Sequence, residues 1–75
     1  MFTVVNHAED GTYTNKFKSI DKALAYVEYQ TGYTVKKYYE FQDRPFEGSD
    51  ADFVIRNGGA RIVDNYGRVF IINVL

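Results

Sequence analysis

Hydrophobic and polar positions alternate with a period of two near both ends of the chain, and with a helical period in one stretch between them. "FTVV" is a β-branched apolar run that opens a first strand, residues 2–6. "AEDG" carries an Asp-Gly turn signal. "TYTNKFK" then alternates again, with Tyr13, Asn15 and Phe17 on one face, predicting a hairpin with a longish loop. Ser19 stands where an N-cap belongs, with Asp21 in the first turn. Ile20, Ala23, Leu24, Val27 and Thr31 follow the i, i+3, i+4, i+7 rhythm of an amphipathic helix, and Gly32 supplies its left-handed end.

Beyond that glycine the pattern returns to two. In "YTVKKYYEFQ", residues 33–42, alternation puts Tyr33, Val35, Lys37, Tyr39 and Phe41 on one face and Thr34, Lys36, Tyr38, Glu40 and Gln42 on the other, predicting a strand. "DRPFEGSDAD" breaks it with the only proline and a glycine, and reads as a loop. Ser49 and Asp52 have the spacing of a capping box, and "NGG" at 57–59 is an end signal, so a short helix is expected between them, with a strand "DFVIR" turning at Asn57-Gly58 into "ARIVD" as the rival reading. "RIVD" and "RVFIINV" around "NYG" predict a hairpin over about 60–64 and 68–74. The last strand is apolar on both faces, as a central strand is.

These elements assemble into a small two-layer α+β sandwich, a single globular domain over 1–75. It has an antiparallel sheet of about five strands, one main helix (20–31) on one face, and the order ββαβ(α)ββ. The expected core is Phe2, Val4, Phe17, Ile20, Leu24, Val27, Val35, Tyr39, Phe41, Ile62, Phe70 and Ile72. One helix and a turn of another need not cover both faces, which leaves a residual face for solvent or a second copy in a homodimer.

Composition narrows the function. With 75 residues and no cysteine, neither a disulfide nor a thiolate metal site staples the fold, so its 13 aromatic residues (six Phe, seven Tyr) carry the burial. Nine basic against ten acidic residues, net −1, weigh against non-specific binding to nucleic acid or an anionic membrane. No apolar run approaches the ~20 residues of a membrane span, the first residues lack a signal peptide's basic region, and the absence of cysteine fits a reducing compartment, so a cytoplasmic location is expected.

Reactive chemistry is sparse. His7, the one histidine, has Glu9 and Asp10 behind it but no second nitrogen ligand, and reads as a solvated strand end. Glu47, Asp50 and Asp52 miss the calcium-loop spacing, because Val54 stands where a ligand belongs. "NGG" is turn chemistry, and no phosphate-loop or dinucleotide fingerprint exists. No enzyme, metal or cofactor is therefore expected.

What remains is surface chemistry. Residues 40–52 hold five acids and one arginine, a local charge of −4. Tyr38, Glu40, Asp43, Phe46, Glu47, Asp50 and Asp52 are the candidate contact residues: an aromatic anchor within a negative rim, suited to a basic surface on a larger protein. The leading expectation is thus a non-catalytic protein-binding module, a small regulator or inhibitor. In size and lack of motifs the chain resembles the accessory proteins of bacteriophages, many of which inhibit host factors; that likeness is one of general build and assigns no residue. The alternatives are single-stranded nucleic-acid binding through Lys36, Lys37 and Tyr38 on a sheet face, and a small homodimeric structural protein.

Overall fold

In the computed structural model, which describes residues 1–75, the chain runs β1 (Phe2–Ala8), β2 (Gly11–Phe17), α1 (Ile20–Thr31), α2 (Val35–Phe41), α3 (Asp50–Asn57), β3 (Gly59–Val63) and β4 (Val69–Val74). The four strands form one antiparallel sheet in the order β2-β1-β4-β3. The two-faced last strand, β4, lies in the middle of it, as its sequence predicts.

Register decides what is buried. Val4 and Asn6 of β1 pair with Ile72 and Phe70 of β4, which pair in turn with Ala60 and Ile62 of β3. Alternation turns all six to one face. All three helices cover that face: Ala23 and Val27 of α1, Val35 of α2 and Val54 of α3 join Val4, Ala60, Ile62, Phe70 and Ile72 in one core. The shortest dimension is 18 Å, the thickness of one helix layer on one sheet. Truncating one buried side chain costs about 2–5 kcal/mol, comparable to the whole stability of a domain this small.

The capping signals hold. Ser19 Oγ accepts from the Asp21 amide, and Gly32, at φ 79°, returns its N–H to the Glu28 carbonyl. Ser49 Oγ accepts from the Asp52 amide and opens α3, the short helix expected there. The helix stops at Gly58, with φ 75°. Gly59 follows at φ 152°, and a Cβ on it would collide with the Ile72 carbonyl. "NGG" is therefore what allows α3 to pass directly into β3.

Two expectations fail. The β1–β2 connection is not longish: Ala8 pairs with Gly11, which leaves Glu9 and Asp10 as the whole turn. More consequentially, residues 33–42 are not a strand, so the sheet has four strands rather than five and the helices number three. Val35–Phe41 is α2, because its first turn is capped twice. Thr34 Oγ1 accepts from the Lys37 amide, and Asp50 Oδ1, arriving from α3, accepts from the Lys36 amide at 3.0 Å. "VKKYYEF" also satisfies the helical rhythm, since Val35 and Tyr39 are four apart. Phe41, expected inside, falls on the outer side and is 70% exposed.

Candidate protein-contact surface

The predicted contact residues all lie on α2, the 43–49 connection and the first turn of α3, so one corner of the molecule holds them. Asp50 and Phe46 build that corner. Phe46 stacks on Phe53 of α3 at 4.0 Å between ring centres, meets Tyr39 edge-on, and lies under the Lys36 ammonium at 5.3 Å. The Lys36 Nζ also donates to the Gly48 carbonyl at 2.7 Å, so one cation closes the loop over the ring. Phe46 is half-buried, with its ring fastening the loop to the protein and part of it still open to solvent. Asp50 is likewise engaged through the Lys36 amide.

The remaining carboxylates are free. Glu40, Asp43, Glu47 and Asp52 are exposed, and none forms a salt bridge; the single salt bridge of the molecule is Arg68–Asp64. The exposed apolar ring nearest them in sequence is Phe41, between Glu40 and Asp43, where a strand would put it in the core. Tyr38 is half-buried, edge-on to Tyr33 and Tyr39.

The lysine–tyrosine platform has no sheet to stand on. Lys36, Lys37 and Tyr38 belong to α2, and Lys36 is engaged as described. The sheet does have an open face, and register arranges it in three rows: Lys16, Thr3, Asn73 and Gly59; Thr14, Val5, Ile71 and Arg61; Thr12, His7, Val69 and Val63. No aromatic side chain is on it to stack a base. Its apolar centre is four aliphatic side chains among polar neighbours, as on many solvated antiparallel sheets.

On the other side of α2, the sheet edge and the helix enclose a trough. One depression of about 330 Å³ is lined by Tyr33, Tyr38, Phe41, Gln42, Val63 and Asn65. A smaller one of about 140 Å³ is lined by Tyr38, Tyr39, Gln42, Arg44 and Arg61. Tyr38 and Gln42 border both, so the two lie side by side. Arg44, Arg61 and Phe41 escape sequence reasoning, because only a helical α2 brings them to the β3 edge. One signal was present: Thr34, just past Gly32 and three residues before Lys37, has N-cap spacing for a helix starting at Val35.

Where the two hairpin turns meet, His7, Ala8, Glu9, Asp10, Tyr66, Gly67 and Arg68 line a broad depression of about 790 Å³. His7 sits beside carboxylates there, but its Nδ1 is in contact with Thr12 Oγ1 at 3.2 Å rather than with either acid. Tyr13 donates to Asp10 Oδ2 at 3.0 Å; that hydrogen bond and the carboxylate's charge hold the phenol above its usual pKa. Arg68 is bound to Asp64. These groups brace the turns, and no oriented acid–base pair forms among them. No family model matches the chain, and neither a curated protein nor a solved structure matches it.

Proposed function

We propose that this chain is a non-catalytic protein-binding module, a small regulator or inhibitor, which presents the α2–α3 corner to a basic surface of a larger partner. One observation carries the reading: Asp43, Glu47 and Asp52 are exposed with no cation of their own chain in salt-bridge contact, beside an outward Phe41. Unneutralised carboxylates of one sign on one corner steer encounter with a positive surface, and an exposed ring beside them provides apolar contact area. The local fold supports this use. Phe46, Lys36 and Asp50 fix the loop from within, so its acids are held in place before any partner arrives.

The experiment removes charge without touching those braces. Asp43→Asn, Glu47→Lys and Asp52→Asn together take the corner from −4 to 0 and leave Asp50 alone. A partner captured from lysate by the native chain should associate about tenfold more slowly with the triple variant at low salt, and with a flatter salt dependence. Equal rates for the two chains across the salt series would reject the reading.

A further inference from the structure

We propose that the trough between α2 and the free edge of β3 binds an extended peptide segment bearing an acidic side chain, which adds to the sheet as a strand beside β3. This inference rests on the arginines and the free β3 edge rather than on the carboxylates of the acidic corner, although Tyr38 and Phe41 border both.

The edge supplies the backbone groups. β3 pairs with β4 on one side only. The Arg61 amide points away from β4, because it donates to the Tyr39 hydroxyl oxygen at 3.3 Å, while the Asp64 amide points inward and donates to the Arg68 carbonyl. Antiparallel alternation therefore turns the N–H and C=O of Val63 outward with those of Arg61. An unpaired edge of this kind is a template for strand addition. The single cap over it, the Tyr39 phenol, makes a long bond that an incoming carbonyl can replace.

The trough supplies selectivity. Arg44 and Arg61 line its smaller depression, and no carboxylate lines either depression. Neither guanidinium is in a salt bridge. Two unpaired arginines over one hollow favour a carboxylate, which each can hold through two parallel hydrogen bonds. The second depression offers apolar wall from Tyr33, Phe41 and Val63 beside the polar Gln42 and Asn65, and the Tyr33 hydroxyl donates to Asn65 Oδ1 there. Arg61 and Val63 are two residues apart, about 6.6–6.8 Å along a strand. Alternate side chains of an added strand fall on the same spacing, so an acid in one hollow places an apolar side chain in the other.

The probe follows from that spacing: acetyl-Thr-Leu-Thr-Glu-Thr-Leu-Thr-amide, which offers leucine two residues from glutamate in either strand direction. Titrated into the ¹⁵N-labelled full chain, it should shift the amide resonances of Arg61, Val63, Asn65 and α2, with a Kd of roughly 0.1–1 mM. Replacing its glutamate by lysine should weaken binding about tenfold or more, and so should Arg44→Ala with Arg61→Ala in the protein. Those arginines are exposed, so an unchanged thermal midpoint of the double variant confirms that its fold is intact. The triple variant of the acidic corner should bind the peptide as the native chain does, which separates this site from the other. The proposal is overturned by the absence of shifts at about 5 mM peptide, by equal binding of the glutamate and lysine peptides, or by shifts confined to other strands. Tighter binding of an oligothymidylate at the same amides would also overturn it, in favour of nucleic acid.

Discussion

In the β3–β4 turn Arg68 is closed against the protein, whereas on β3 Arg61, with Arg44, faces an open trough. Arg68 Nε lies 2.6 Å from Asp64 Oδ2, its guanidinium donates to the Gln30 carbonyl, and its charge sits 5.2 Å from the Phe70 ring. Arg44 and Arg61 have no such partners. The acids divide in the same way: the buried Asp64 carboxylate accepts three hydrogen bonds from its own turn, while Asp43, Glu47 and Asp52 face water. Charge count alone does not separate structural from available groups in this molecule. Whether the fold has already supplied a counter-group does.

The largest effect should come from opening the closed pair. Asp64 receives the Tyr66 and Arg68 amides and the Arg68 side chain. Asp64→Ala leaves the Arg68 Nε and two amides without their acceptor, and should cost about 3 kcal/mol, the low end for a broken buried pair because Arg68 is partly in water. In a domain this small that lowers Tm by roughly 12–24 °C, measurable by circular dichroism. pH sharpens the point. Burial pushes the Asp64 carboxyl up, but the hydrogen bonds from Arg68 and Tyr66 and the guanidinium charge outweigh it, and its pKa is lowered. A depressed carboxyl stabilises the fold above its unfolded value near 4 and loses that contribution as pH falls through the folded value. The stability gap between the native chain and Asp64→Asn should therefore be widest near neutrality and narrow below about pH 4. A gap independent of pH would show that the charge of Asp64 does not matter.

A middle-sized effect is expected at Phe46, which ties the acidic loop to the protein. The ring is half-buried against Phe53 and Tyr39, so Phe46→Ala should cost about 1–2 kcal/mol, less than a full core truncation. Lys36 would lose the ring beneath it, and the 43–49 connection should gain hydrogen-exchange rate with no change in the Asp64 turn. Unchanged stability in urea would return Phe46 to the role of an outward anchor.

The legible part of the fold is the part whose instructions are local. Ile20 to Thr31 is written in one periodicity with Ser19 and Gly32 at its ends, and both hairpins are written in alternation around their turns. Residues 33–42 carry two compatible readings, because tyrosine, valine and phenylalanine fit a pleat as well as a helix face. The second cap comes from Asp50, fourteen residues from Lys36, and no local pattern reports it. Read as a pleat, the segment puts Phe41 inside and Lys36 and Tyr38 on a sheet face, and only the helix brings Arg44 to Arg61. The acidic character of 40–52 was legible regardless of fold, since it needs only a count.

The smallest effect separates charge from backbone at Asp43. It is the only residue other than glycine with positive φ, 56°, and its N–H bonds the Glu40 carbonyl as the chain leaves α2. Aspartate tolerates this left-handed region better than most residues, and glycine tolerates it without steric cost. Asp43→Gly should change stability by no more than about 0.5 kcal/mol, the relieved strain being offset by the freer unfolded chain. Asp43→Ala should lose about 1 kcal/mol, because its Cβ meets the backbone and no polar side chain compensates. Both remove the same negative charge from the corner. If that charge guides association, the two variants should slow partner binding by the same factor, about twofold, despite their different stabilities. A rate that instead follows stability would assign Asp43 to the fold rather than to the contact surface.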